Sequence, residues 1–286
     1  MTPQASGSFS TKRYKILLES DRKKEMKIPI YQVDAFTSVL FSGNPAAVCI
    51  LDAWIDDRKL QSVAAENNLS ETAFLVRNSD GFDLRWFTPT TEVALCGHAT
   101  LAGAFVLFVC RGWPGEKIIF QTRKSGQLTV VKRDEFIEMD FPSRPPSRRT
   151  SPAGLEKALG VAPKEIFGSA EDILLVLDSE KTVREAEPDF GALGRVDCRG
   201  IIITARGDRS DFVSRFFAPR VGIPEDPVTG SAHCVLIPYW ADVLHKNDLH
   251  AFQISKRGGE LFCAYAGERV SIMGKAVLYL EGSITI

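Results

Sequence analysis

The chain carries almost no net charge, because 35 Lys and Arg residues stand against 36 Asp and Glu residues. It therefore has no basic field for nucleic acid and no acidic tail. No apolar run approaches the roughly 20 residues that cross a bilayer. The apolar patch at residues 16–18 is too short for the core of a signal peptide. We expect no nucleic-acid partner, no membrane association and a cytoplasmic location.

Familiar nucleotide and hydrolase motifs are also missing. The chain has no Gly-x-Gly-x-x-Gly after a strand, no Walker-type phosphate loop and no Gly-x-Ser-x-Gly elbow. None of the six cysteines forms a Cys-x-x-Cys pair, so we interpret them as reduced thiols packed like small apolar side chains. Zinc-type ligands occur at Cys96-x-His98 and His233-Cys234, but their spacings match no closed structural site. We predict no metal.

What the chain does contain is an internal repeat. The first copy reads Arg85-Trp86-Phe87-Thr88-Pro89, then Glu92, then Cys96-Gly97-His98-Ala99. The second reads Arg215-Phe216-Phe217-Ala218-Pro219, then Glu225-Asp226, then Thr229-Gly230-Ser231-Ala232. Downstream, Phe120-Gln121 is answered by Phe252-Gln253. The duplication predicts two similar lobes with two helix N-termini aimed at one cleft, which is an arrangement suited to an anion.

Apolar patterning predicts strands and helices in both copies. Strands are predicted at 28–35, 46–51, 72–76, 82–87, 117–122, 127–132, 135–141, 172–178, 200–204 and 212–217, and from 252 onward. Helices are predicted after Asp56, over 99–109, near 152–160 and from Ser231. The stretch 99–109 is apolar on every side, so we predict that it is buried at the centre of its lobe.

These patterns divide the chain into segments. Residues 1–25 form a polar extension, 26–141 a first lobe and 153–275 a second lobe. The Pro-, Ser- and Arg-rich residues 142–152 are predicted to form an exposed linker. Residues 276–280 resemble an extra strand without a counterpart in the first copy. We predict that residues 276–286 cross back and complete the first lobe's sheet.

Candidate chemistry lies beside the two repeated turns. Gly97 and Gly230 allow close backbone approach, and the free N–H groups of a helix's first turn bind carboxylates. Glu71 stands where a helix ends and a strand begins. A carboxylate facing an apolar cleft has a raised pKa and can exchange a proton near neutral pH. The alternatives are a solvated acid at Glu71, a helix-dipole partner at Glu225-Asp226 and a capping role for His98.

Several ordered motifs resemble one known family. They are Phe41-Ser42-Gly43-Asn44-Pro45-Ala46-Ala47-Val48, Asn68-Leu69-Ser70-Glu71-Thr72-Ala73-Phe74, Arg85-Trp86-Phe87-Thr88-Pro89, Cys96-Gly97-His98-Ala99-Thr100 and Glu225-Asp226-Pro227-Val228-Thr229-Gly230-Ser231-Ala232. From about Met26 onward the chain resembles the PhzF-type, phenazine-biosynthesis-like isomerases. The resemblance implies a diaminopimelate-epimerase-like α+β fold, with two pseudo-symmetric lobes, each a curved mixed sheet around a central buried helix.

The resemblance also implies a function and its residues. It implies a cofactor-independent isomerase that moves a proton within a small carboxylic acid bound between the lobes, and a homodimer. Glu71 matches the proton-shuttling acid/base, and His98 and Asp226 match the residues that assist it. The predicted substrate-binding residues are Gly97, Gly230, Ser231 and Asn44.

Two other functions stay open from the sequence. Epimerases of this fold use two opposed cysteines, one ahead of each helix. Here Cys96 stands at the first position and Thr229 at the second, so a two-thiol mechanism lacks half of its machinery. A Cys96-based racemase or epimerase of amino or hydroxy acids is one alternative. A non-catalytic small-molecule-binding protein on the same scaffold is the other.

Overall fold

The structure is a computed structural model, and it describes residues 25–286. The predicted polar extension, residues 1–25, lies outside the described residues apart from Glu25. The α-helices are α1 (Asp57–Asn67), α2 (Gly97–Phe105), α3 (Leu155–Leu159), α4 (Glu180–Glu185), α5 (Phe190–Leu193) and α6 (Gly230–Leu244). None of these six helices has both the length and the apolar character that a membrane crossing requires.

The strands are β1 (Lys27–Ala35), β2 (Asn44–Leu51), β3 (Glu71–Arg77), β4 (Phe82–Phe87), β5 (Glu92–Val93), β6 (Lys117–Thr122), β7 (Gln127–Arg133), β8 (Phe136–Pro142), β9 (Ser147–Arg148), β10 (Glu165–Gly168), β11 (Asp172–Val176), β12 (Gly200–Arg206), β13 (Phe212–Ala218), β14 (Ile223–Asp226), β15 (Asp248–Gln253), β16 (Gly259–Ala266), β17 (Arg269–Gly274) and β18 (Ala276–Thr285).

Both halves of the chain use the same pattern of strand pairing. In the first, β2 is parallel to β3 and β4 is parallel to β6. In the second, β11 is parallel to β12 and β13 is parallel to β15. β8 pairs antiparallel with β17, so one hydrogen-bonded ladder continues from the first lobe into the second. The pattern confirms the predicted α+β fold of two similar lobes.

Each lobe is completed by a strand from the other half of the repeat. β18 pairs antiparallel with β1, over Lys27↔Thr285 to Ala35↔Ala276. Likewise β9, which follows the first lobe, pairs antiparallel with β10, the first strand of the second lobe. The interpretation of residues 276–280 as a strand without a counterpart was therefore wrong. The counterpart is β9, which is hard to see because it has only two residues and lies inside the predicted linker.

Other differences concern the first central helix and three short elements. The predicted helix over 99–109 begins at Gly97 as an α-helix, and from Val106 to Cys110 it widens into a π-helix. The sequence patterns missed the short elements β10, α4 and α5. Each has six or fewer residues, which is too short for a period of 2 or 3.6 to repeat clearly.

A central helix lies against the sheet of each lobe. α2 packs on β1, β2, β3 and β8, while α6 packs on β15, β16 and β17. Most of their apolar side chains are buried, and Leu101 of α2 and Leu236 of α6 are fully so. Both belong to one continuous core cluster that spans the two lobes. The prediction of a buried first helix is confirmed, and the reason is that its whole circumference is apolar.

The two central helices meet at their first residues. A Cβ atom added to Gly97 would lie 3.3 Å from Gly230 Cα, and one added to Gly230 would lie 3.4 Å from Gly97 Cα. At Gly97 this is closer than most Cβ atoms approach a backbone, and at Gly230 it is at the limit of ordinary contact, so a side chain here would press the two helix starts apart. The repeated glycines thus bring two helix N-termini to a single point.

A second tie between the lobes runs through Arg257. Its Nη2 donates to Asp34 Oδ1 and to Ser42 O, and its Nε donates to Gly43 O, at 2.8, 2.9 and 2.8 Å. The backbone N–H of Gly43 in turn donates to Gly258 O at 2.8 Å. These bonds fix the turn that leads into β2, whose first residue is Asn44.

We predict that Gly97→Ala destabilises the fold while Gly103→Ala does not. The new methyl group at residue 97 meets the backbone of α6, so the helix starts must separate, at a cost of about 1–3 kcal/mol in the free energy of unfolding. At Gly103, in the same helix, a Cβ meets only the Leu75 side chain at 3.7 Å. Gly103→Ala should be neutral or stabilising by up to about 1 kcal/mol. Urea denaturation measures both, and equal effects would contradict the contact.

Candidate active site

A cleft of about 820 Å³ opens where the two helix starts meet. Its walls come from both lobes and comprise the beginning of β3, the segment 88–98, the end of β8, the segment 216–226 and the beginning of α6. Apolar groups such as Leu95, Phe141 and Ile223 form much of its surface, with a few polar groups between them. Small-molecule sites in proteins commonly have this composition and size.

Glu71 and His98 lie side by side in this cleft. Glu71 is the first residue of β3 and His98 the second residue of α2, and both side chains are about nine-tenths buried. The two groups approach to 3.1 Å between His98 Nε2 and Glu71 Oε2. No hydrogen bond of good geometry joins the two groups or reaches this buried oxygen from elsewhere in the described region. An acceptor of this kind is open to a ligand.

Asp226 stands on the other side of His98, at the end of β14. Its Oδ1 accepts a hydrogen bond from Asn44 Nδ2 at 2.8 Å, and its Oδ2 accepts one from Thr229 Oγ1 at 2.5 Å. Asn44 Nδ2 also lies 3.1 Å from His98 Nδ1. The amide of Asn44 therefore links the acid of the second lobe to the histidine of the first.

Gln253 holds the turn ahead of α6 and was not predicted. It is fully buried; its Oε1 accepts from the Thr229 N–H at 2.8 Å, and its Nε2 donates to Asp226 O at 2.7 Å. The repeated Phe-Gln pair was the available signal. Its counterpart Gln121 contacts Gln127 near the surface instead, so the repeat alone could not show which glutamine supports the site.

The helix starts are open to the cleft. Cys96 precedes α2 and Thr229 precedes α6, and neither side chain caps its helix. Gly97, Gly230 and Ser231 all line the cleft. The N-terminus of a helix carries roughly half a positive charge, so two such ends at one point favour an anion between them.

Burial and neighbouring charges set the protonation states. Burial alone would lower the pKa of His98, but Cys96 and the adjacent Glu71 carboxylate outweigh it, and the pKa lies well above its usual value. Burial raises the pKa of Asp226 to about 6, against the lowering effect of His98. Burial, with a contribution from Glu71, raises the pKa of Cys96 to about 11, so its thiol stays protonated at neutral pH.

The repeated Arg and Glu residues form two equivalent ion pairs outside the cleft. Arg85 binds Glu92 through Nε and Nη2 at 2.8 and 2.9 Å. Arg215 binds Glu225 in the same way, at 2.7 and 3.0 Å. Each ion pair joins a central strand to the segment that leads to a helix start. These residues recur for a structural reason, because bidentate Arg–carboxylate pairs fix geometry.

Six of the seven predicted site residues line the cleft: Glu71, Gly97, His98, Asp226, Gly230 and Ser231. Asn44 does not. It is fully buried behind His98 and Asp226 and donates to Asp226 and to Val228 O. A direct contact between Asn44 and a substrate is therefore not compatible with this geometry, because the neighbouring side chains cover the amide.

The residues that could bind a metal in the structure differ from those considered in the sequence. Ligand atoms of Glu71, Cys96 and His98 lie within 4.8 Å of one another. His233 points elsewhere, with Nδ1 2.8 Å from Thr229 O. Three ligands of these types resemble the protein part of a catalytic zinc site. A metal-free site stays a prediction.

Comparisons with known proteins agree on one family. The family model described as phenazine biosynthesis-like protein (PhzC-PhzF) matches residues 33–282. An uncharacterized isomerase of Pseudomonas aeruginosa is 56% identical over 261 residues, which cover 91% of this chain and 100% of that protein. A crystal structure of a PhzF-family phenazine biosynthesis protein from Enterococcus faecalis has a TM-score of 0.88 and 47% identity, covering 91% and 99% of the two chains.

A more distant structure shares the fold alone. A hydroxyproline epimerase from Agrobacterium vitis, with bound trans-4-hydroxy-L-proline, has a TM-score of 0.60 and 10% identity, covering 91% of this chain and 93% of that one. This likeness confirms the predicted relation between the fold and epimerase scaffolds.

We predict that Asp226 titrates near pH 6. The folded state keeps a proton that the unfolded chain, with a pKa of 3.8, releases. The stability that this proton contributes is complete below about pH 4 and is lost as the pH rises through 6, a change of about 3 kcal/mol. Carboxyl ¹³C NMR should show a carbon titrating near pH 6 that is absent in Asp226→Asn. A titration near pH 4 would contradict the burial effect.

Proposed function

The chain belongs to the phenazine biosynthesis-like (PhzF) family, and from this premise we propose that it is an isomerase. The reaction is an acid/base proton transfer within a small carboxylate-bearing metabolite bound between the lobes, without a metal or an organic cofactor. The observation that carries the proposal is the position of the buried Glu71 carboxylate, which lines the cleft with its Oε2 3.1 Å from His98 Nε2.

Glu71 is the proposed acid/base. With the pKa of His98 raised, the imidazolium and the Glu71 carboxylate stand 3.1 Å apart as an ion pair. The carboxylate takes a proton from a substrate carbon, and the electron pair of that C–H bond moves into the conjugated system of the substrate. Glu71 then returns the proton to another atom of the same molecule. The product is an isomer, and no outside oxidant or reductant is required.

The rest of the site stabilises the charge that develops. The substrate carboxylate lies at the starts of α2 and α6, next to Gly97, Gly230 and Ser231, where the partial positive charges of two helices add. His98 and Asp226 steady the polarised intermediate from the opposite side. Asn44 acts as a positioning residue, because its amide donates to Asp226 Oδ1 and to Val228 O.

A Cys96-based racemase is the second candidate. The observation in its favour is the contact of 3.5 Å between Cys96 Sγ and His98 Nδ1. Against it stand the protonated thiol and Thr229 at the opposed position, where Oγ1 already donates to Asp226. A hydroxyl group is a far weaker acid than a thiol, so one face of such a reaction has no partner.

We predict that Glu71→Gln abolishes proton transfer. Wild-type protein is incubated in D₂O with a panel of small unsaturated cyclic carboxylic acids, and ¹H NMR follows deuterium uptake and isomer formation. Removal of the general base should slow the exchange by about 10²–10⁴-fold, while the thermal midpoint stays close to that of the wild type.

Cys96→Ser is the matched control, because Cys96 lies in the same cleft. It should keep most of the exchange, whereas a racemase would lose deuterium uptake at a stereocentre in this variant. Unimpaired exchange in Glu71→Gln would falsify its role. Calorimetric binding with neither exchange nor isomer formation in the wild type would favour the non-catalytic alternative.

We also predict that removal of divalent metals leaves the reaction unchanged, since every proposed step uses side chains and backbone groups of the chain itself. The measurement compares exchange rates before and after dialysis against EDTA. Loss of exchange, with recovery on addition of Zn²⁺, would instead assign Glu71, Cys96 and His98 as zinc ligands.

A further inference from the structure

Arg199 lies in the wall of the cleft and has no role in the proposal above. Its Nε donates to Asp172 Oδ1 at 2.9 Å, and its Nη2 donates to Asp172 Oδ2 and, at 3.1 Å, to Ser231 Oγ. The guanidinium also lies over the Phe216 ring, 5.6 Å from its centroid. One third of the side chain is exposed, so the group is held rigidly and still faces solvent.

The unusual part of this arrangement is Asp172, whose side chain is only 1% exposed. An ordinary surface ion pair does not require a buried carboxylate, and such pairs contribute little. Next to it, a Cβ on Gly200 would lie 2.2 Å from Phe216 Cζ and 3.0 Å from Asp172 Oδ1. Glycine at this position leaves room for the carboxylate and the ring that hold Arg199.

The guanidinium keeps unused donors. Of its five N–H groups, those on Nε and Nη2 serve Asp172 and Ser231, and among the described residues none accepts from Nη1. Its neighbour Ser231 is the second residue of α6, at the open helix start. One carboxylate can therefore reach both the guanidinium and the first N–H groups of α6.

The repeat places Arg199 beside the structural equivalent of Glu71. In the first lobe Thr72 pairs with Phe87, and in the second Ile201 pairs with Phe217. Phe87 and Phe217 correspond in the repeat, so Glu71 corresponds to Gly200, the residue directly after Arg199. At equivalent strand beginnings, one lobe thus offers an acid to the cleft and the other, one residue earlier, offers a fixed cation.

We propose that Arg199 is a specificity-determining residue that binds the substrate's carboxylate together with the start of α6. This binding orients the substrate, because its anionic end lies against the second lobe and its reacting carbon lies toward Glu71. The inference rests on the proposed function for the identity of the reacting end. The capture of a carboxylate is independent of catalysis.

Benzoate and benzamide test the proposal, since they share size and ring and differ in charge. Isothermal titration measures both in the wild type and in Arg199→Met/Asp172→Asn, in which no buried carboxylate is left unpaired. Loss of charge-assisted hydrogen bonds of this kind should weaken benzoate binding in the double variant roughly ten- to a hundredfold. Benzamide affinity should not change. Arg199→Lys keeps the positive charge but lacks the forked donor geometry of a guanidinium, so its benzoate affinity should lie between those of the wild type and the double variant.

Arg144→Met is the matched control, because Arg144 lines the same cleft and its side chain, among the residues that the structure describes, donates to Glu171 alone, at 3.2 Å. It should change benzoate affinity less than about threefold if benzoate binds through direct contact with Arg199 rather than through the electrostatic potential of the cleft as a whole. Equal losses in the Arg144 and Arg199 variants, equal losses of both probes, or no preference of the wild type for benzoate would each overturn the proposal.

The same titrations are repeated in Glu71→Gln. If no panel compound exchanges deuterium but benzoate binding still depends on Arg199, the proposed isomerase function fails and the carboxylate site stands. If exchange occurs and benzoate binds equally well without Arg199, the function stands and this inference fails.

Discussion

The contact between Gly97 and Gly230 is the constraint on which the site depends. The two helices begin in close backbone contact because both first residues are glycine. Their positive ends then repel each other, and a bound anion relieves that repulsion. The cleft, the two helix N-termini that face it and the position of Glu71 beside them all follow from this backbone contact.

The two lobes share a scaffold but differ in chemistry. The Arg–Glu ion pairs, the strand order and the helix starts are retained in both. The groups that face the cleft are not, since Cys96 is matched by Thr229 and Glu71 by Gly200. Duplication supplied a symmetric frame, and side chains at equivalent positions then took separate tasks. A proton transfer within an asymmetric substrate requires such a division.

The sequence predicted the lobes, the central helices and six residues that line the cleft, because an internal repeat and long apolar runs are strong local signals. It could not place Asn44, whose partners Asp226 and Val228 are more than 180 positions away along the chain. Nor could it single out Arg199 among 35 basic residues. Its significance comes from the burial of Asp172, which only the folded chain reveals. Two-residue β9 was invisible for lack of periodicity.

The exchange of closing strands between the halves has a consequence for biosynthesis. β1 finds its partner β18 only after some 240 further residues have been made. A ribosome that has completed the first lobe therefore carries a sheet with an unpaired edge until the whole second lobe emerges. Long sequence separation slows folding, and open edges invite wrong pairing. Nascent chains of this protein should therefore depend on chaperones more than their compact native form suggests.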